Sequence, residues 1–130
     1  MISNKDHGLE VLLHLDGDRY FIDEDGHYEV CFSVRKTRVS ASKPYGIRYS
    51  LVLIDKHGDR IVGFDNAHPV PDGMGRSRKK TVTFDHKHVR DRTTPYNYQG
   101  AVGLVADFLE RGRQDNSKER MIRESRGERK

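Results

Sequence analysis

The sequence predicts an α+β domain in which an antiparallel sheet of about five or six strands carries one C-terminal helix on a face. Three features point that way. Apolar residues alternate with polar ones through much of the chain before residue 100. Short turns rich in Asp and Gly separate those segments. One helical stripe follows, starting at Ala101.

The elements follow in order. Val11, Leu13 and Leu15 alternate and read as a first strand, closed by the turn Asp16-Gly17-Asp18. His14 falls within it and is expected on the sheet surface. Asp25-Gly26 is a hairpin signal. Tyr28, Val30, Phe32 and Val34 then alternate with Glu29, Cys31 and Ser33. Ile47–Ile54 is the most apolar segment and is rich in β-branched residues, which marks a central strand. Lys56-His57-Gly58-Asp59 turns it into Arg60–Asp65. Proline and glycine crowd Pro69–Gly75, which reads as loop. Strand character returns at Thr81–Phe84 and briefly at Tyr96 and Tyr98. Tyr20, Phe21 and Phe32 are expected in the core. Ala101, Leu104, Val105 and Phe108 share one helical face. Asp107 and Arg111 are placed to pair on the outer face, and Gly112 to stop the helix.

The chain has 130 residues, enough for one domain. Only 34% of them are apolar and 34% are charged, so the core is small. No stretch approaches the roughly 20 apolar residues of a membrane span. Nor does an apolar run follow Met1–Asp6, so no signal peptide is expected and the cytoplasm is the expected location. Cys31 is the only cysteine and is expected to be a small core residue. Alone it supports neither a disulfide framework nor a cysteine zinc site.

Charge is segregated. Residues 1–34 hold 2 basic and 8 acidic residues, whereas 35–60 and 76–92 each hold 7 basic and 2 acidic ones. The net charge of +4 is that of residues 111–130, which hold 8 basic and 4 acidic residues. Such a field suits a polyanion such as nucleic acid; charges mixed over an ordinary surface are the plainer account. The domain is expected to span residues 1–112. The basic tail 113–130, with only Met121 and Ile122 as apolar residues, is expected to be disordered or ordered by a partner.

Two segments echo each other. Phe64-Asp65-Asn66-Ala67-His68 and Phe84-Asp85-His86-Lys87-His88 both read F-D-x-x-H at the end of a strand. If Phe84 points to the core, His86 and His88 continue that face into a cleft where the sheet ends, near His68. Histidine can take or give a proton near neutral pH, and RNA cleavage needs both acts. Arg76, Arg78, Lys79, Lys80, Lys87, Arg90 and Arg92 could hold phosphates, and Tyr96 and Tyr98 could stack on bases. H-x-H with a third histidine and Asp65 could instead hold a divalent metal, and hydrogen-bonding surface histidines remain the plain alternative. His7, His27 and His57 read as solvated residues of a polar leader and of turns. No P-loop, dinucleotide fingerprint or nucleophile elbow occurs, which argues against nucleotide-cofactor enzymes and common hydrolase nucleophiles.

Several segments in this order resemble the TumE toxin family of type II toxin–antitoxin systems. They are Tyr45-Gly46-Ile47-Arg48-Tyr49-Ser50-Leu51, Gly63-Phe64-Asp65-Asn66-Ala67-His68, Asp85-His86-Lys87-His88, Pro95-Tyr96, and Leu104 with Asp107 and Phe108. The resemblance covers roughly residues 27–110. Asp65, His86, His88 and Pro95-Tyr96 fall on the family's motifs. The loop Pro69–Lys80 and the basic tail are longer than in compact members. The resemblance implies an endoribonuclease toxin, neutralised by a DNA-binding antitoxin.

The resulting expectation is an RNA-cleaving toxin with no cofactor. His86 and His88, with His68, exchange protons; Asp65 orients one imidazole. RNA and the antitoxin are the partners, a membrane is not, and a homodimer is left open. The alternatives are a non-catalytic nucleic-acid or protein binding module, and a metal-dependent hydrolase on Asp65, His68, His86 and His88.

Overall fold

A computed structural model of the chain describes residues 8–66, 70–71, 82–83 and 85–125. The elements are α1 (Leu9–His14), β1 (Arg19–Phe21), β2 (Tyr28–Lys36), β3 (Ile47–Asp55), β4 (Arg60–Asp65), β5 (Val70–Pro71), β6 (Val82–Thr83), β7 (His86–Val89), β8 (Arg92–Pro95) and α2 (Ala101–Ser125). Six strands form one sheet in the order β1-β2-β3-β4-β7-β8, with every neighbouring pair antiparallel. β5 and β6 pair as a separate ribbon. The α+β class and the C-terminal helix are therefore as the sequence predicts.

The alternation in β2 and β3 divides the sheet into two faces. Tyr28, Val30, Phe32 and Val34 of β2 and Ile47, Tyr49, Leu51 and Leu53 of β3 are buried on one face. Leu104 and Phe108 of α2 cover it, and the Phe108 ring meets Phe32 and Phe64 edge-on at 6.0 and 5.8 Å. Leu12 of α1 joins the same core. Both helices thus pack on one side, and the other face of the described sheet carries Glu29, Cys31, Ser33, Arg35, Arg48, Ser50 and Val52.

Several expectations are corrected. The segment read as a first strand is α1. Leu9, Leu12 and Leu13 stand at helical spacing and pack on the core, while Val11 is exposed. His14 accordingly ends a helix, with its Nδ1 2.8 Å from the Glu10 carbonyl oxygen. The first strand is instead Arg19–Phe21. As a three-residue edge it leaves Tyr20 and Phe21 exposed rather than in the core. Cys31 is half-buried on the face away from the helices. Val70–Pro71, expected in a loop, pairs with Val82–Thr83. The last strand is Arg92–Pro95, ahead of Tyr96 and Tyr98.

α2 runs past Gly112 to Ser125, so Gly112 is not its stop. An absent side chain fits there because a Cβ would lie 3.3 Å from the Leu53 Cδ2. Asp107 accepts a hydrogen bond from the Tyr96 hydroxyl at 2.6 Å, and Arg111 pairs with Asp115 at 3.2 Å rather than with Asp107. No helix among the described residues is long and apolar enough to cross a membrane.

Asn66 follows β4 directly and ties it to β3. Its Oδ1 accepts from the Tyr49 amide and its Nδ2 donates to the Ile47 carbonyl, both at 2.9 Å, and the side chain is fully buried. An Asn66→Ala change leaves two backbone groups without these partners. It is expected to lower unfolding stability by about 3 kcal/mol, read by urea denaturation.

Candidate functional site

β4 and β7 are antiparallel neighbours, which brings the two echoing segments together. Asp65 lies opposite His86 and Gly63 opposite His88. Residues opposite one another share a face, so Asp65, His86 and His88 converge. The Asp65 carboxylate lies between the two rings, with Oδ1 3.0 Å from the His86 Nε2 and Oδ2 3.5 Å from the His88 Nε2. The rings meet edge-on with centroids 4.7 Å apart. Asp65 therefore contacts both imidazoles, one more than the sequence expectation.

The face is the second correction. Phe64 lies opposite Leu51 on the helix-covered side, whereas Asp65 lies opposite Ser50 on the other. The histidine pair thus sits on the helix-free face, not on a continuation of the core face. Phe84, whose direction that expectation used, lies outside the described residues, as do His68, Arg76, Arg78, Lys79 and Lys80.

Burial separates the two histidines. The His86 side chain is 1% exposed, that of Asp65 12% and that of His88 16%. His88 Nδ1 lies 3.0 Å from the Thr93 Oγ1, a neighbour supplied by the β7–β8 register. Burial, then the charges of Arg60 and His86, hold the His88 imidazole below its ordinary value of 6.5, against the opposing pull of Asp65. The shift favours the neutral imidazole, the form able to accept a proton. Asp65, His86 and His88 also offer one ligand atom each within 4.8 Å of one another, a set able to hold a divalent metal.

Arg60 is a site residue that sequence reasoning missed. A β-bulge places Leu53 opposite Val62 but Ile54 opposite Arg60, with Ile61 as the extra residue. Strict alternation would send Arg60 to the helix side with Val62. The bulge sends it to the face of Asp65. The Arg60 side chain lies across Gly63, where a Cβ would stand 3.0 Å from its Cδ. Glycine is needed here for close approach, and the guanidinium lies over the residue that His88 faces across the β4–β7 pair, near enough to lower the His88 pKa. The β7–β8 turn braces the bulge, since the Arg90 amide donates to the Ile61 carbonyl at 2.9 Å. Arg90 makes this turn at φ 60°, unusual for a non-glycine residue. Nothing in the sequence marks the bulge, so alternation alone misplaces Arg60.

The other expected binding residues divide. Lys87 lies opposite Phe64, and Arg92 opposite Val89, itself opposite Val62; both fall on the side away from the histidine pair. Tyr98 is 5% exposed, with its ring against Tyr45 and Tyr49. Tyr96 is half-buried and meets Phe64 edge-on. Both rings pack on the core, Tyr98 almost completely and Tyr96 in part. Asp85, next to His86 in the chain, is buried and accepts the Tyr49 hydroxyl at 2.7 Å. Burial pushes the Asp85 carboxyl up, opposed by that hydrogen bond. Burial and Asp85 also raise the Tyr49 hydroxyl.

The Arg60→Ala variant removes one of the influences holding His88 down. Its His88 pKa, followed by imidazole NMR titration, is expected to rise. An unchanged value would place the guanidinium away from the ring.

Comparison with known proteins adds one match. A family model described as Toxin TumE matches residues 14–116. No curated protein and no solved structure matches the chain. The matched span includes β1 to β8, the Asp65–His86–His88 group and the first part of α2. The chain belongs to the TumE toxin family, and so to the toxins of toxin–antitoxin systems, whose partner is an antitoxin.

Proposed function

We propose that this toxin is an endoribonuclease acting in the cytoplasm. The observation that carries the reading is the Asp65 carboxylate held between two imidazoles on the helix-free face. Neutral His88, the most exposed of the three, takes the proton of a ribose 2′-hydroxyl. The 2′-oxygen attacks the adjacent phosphorus, and the bond to the 5′-oxygen breaks. A cyclic 2′,3′-phosphate forms, and the leaving oxygen takes up a proton. His68, two residues beyond Asn66 in the chain, is the proposed donor. Asp65 orients His88 and balances the charge it gains. His86 is buried, so its part is to position Asp65 rather than to touch substrate.

The competing reading is a metal-dependent hydrolase, favoured by the same three ligand atoms. One experiment separates them. A single-stranded RNA is incubated with the protein in EDTA, beside the His88→Ala and Asp65→Asn variants. Cleavage is expected with the wild type. His88→Ala is expected to slow it by about 10²- to 10⁴-fold, and to relieve growth inhibition in cells. Cleavage only after a divalent ion is restored would move the reading to metal chemistry. RNA held uncut under every condition would make the protein a binding module.

The pH profile follows from His88. A depressed pKa keeps the base neutral below pH 6.5, so activity should persist there and fall only as the pH drops through the lowered value. The same sign applies to folding, because the unfolded chain binds the proton more readily. The stability linked to His88 is full above pH 6.5 and is lost as the pH falls.

A further inference from the structure

We propose that the helix-free face of the sheet binds the backbone of single-stranded RNA, with Arg60 at one end of the Asp65–His86–His88 group and the pair Arg35–Arg48 at the other. This rests on the RNA-cleaving reading above and adds the surface that holds the substrate.

The register supplies the layout. One row across the face runs Ser33, Ser50, Asp65, His86 and Pro95. The next runs Cys31, Val52, Gly63, His88 and Thr93. Beyond the first row stand Arg35 and Arg48, directly opposite each other and exposed. Beyond the second stand Ile54 and Arg60, whose side chain folds back over Gly63. Rows two residues apart are separated by about 7 Å, so the three arginines bracket the site along the strands. A chain of phosphates crossing the two rows meets a cation before and after the histidine pair.

Two observations favour an anion here. Like charges directly opposite one another destabilise a sheet, yet Arg35 and Arg48 are paired in this way, with Ser33 and Ser50 as the next residues on that face. Arg19 lies on the same face, but its guanidinium is engaged by the Glu29 carboxylate at 3.1 and 3.2 Å. Arg35, Arg48 and Arg60 have no such carboxylate among the described residues. Guanidinium groups suit phosphate because their planar fork can donate two parallel hydrogen bonds. Lys87 and Arg92, cations close in sequence to the histidines, lie on the other side and serve as controls.

The test measures binding apart from cleavage. A 2′-O-methyl oligoribonucleotide lacks the hydroxyl that the reaction consumes, and fluorescence anisotropy follows its binding over a salt series. The R35A/R48A and R60A variants are each expected to bind on the order of tenfold more weakly. The salt slope should fall by about 0.7 for each phosphate no longer neutralised. K87A/R92A is expected to bind like the wild type. Wild-type affinity in R35A/R48A and R60A overturns the proposal, as does an equal loss in K87A/R92A. If the double alanine variant melts early, R35Q/R48Q decides, since it keeps polar side chains and removes the charge, and wild-type affinity in that variant also overturns the proposal. The two readings fail separately. Cleavage that is abolished in His88→Ala, with the arginine variants binding normally, removes the track and keeps the catalytic assignment. A wild-type protein that neither binds nor cuts RNA removes both.

Discussion

The pairing of β4 with β7 sets Asp65 opposite His86, and a slip of one residue would send both strands' polar side chains to opposite faces. Register on a two-faced sheet is enforced by burial. Phe64 and Val62 must face α2, which leaves Gly63 and Asp65 on the other side. The buried Asn66 amide then fixes the end of β4 to the backbone of β3 through two hydrogen bonds. The carboxylate–imidazole group is thus a consequence of how the core is packed on the reverse side.

The bulge in β4 adds what strict alternation would withhold. With Ile61 inserted, Arg60 crosses to the face of the histidines and lies over Gly63. Its charge, together with burial, lowers the His88 pKa while Asp65 pulls the other way. The bulge is braced by the Arg90 amide, whose turn demands a left-handed backbone at a residue that is not glycine. A local irregularity of this kind next to a polar cluster is a common device for aiming a side chain.

The two histidines of H-x-H are not equivalent, although the sequence presents them as a pair. His86 is sealed in and bonded to Asp65, whereas His88 retains a partly open edge and a hydroxyl partner in Thr93. One site therefore holds a buried imidazole and a more open one. The buried Asp85 carboxyl adds a further titratable group close by, on the core side of the sheet, held by Tyr49.

The α+β class, the central strand at Ile47–Ile54, the amphipathic start of α2 and the grouping of Asp65 with His86 and His88 were legible in the sequence. Each rests on local periodicity or on a short motif carried by neighbouring strands. The first helix was not, because Leu9, Leu12 and Leu13 fit a helical stripe while Val11, Leu13 and Leu15 equally fit a strand. Packing on the core selected the helix. The reach of α2 past Gly112 was hidden for a similar reason, since a small residue both ends helices and fits under Leu53. The face of the histidines, the burial of Tyr98 and the position of Arg60 were decided by tertiary structure alone. Strand pairing, one bulge and the packing of α2 determine which side of a sheet a residue occupies, and none of these leaves a mark within the residue's own few neighbours along the chain.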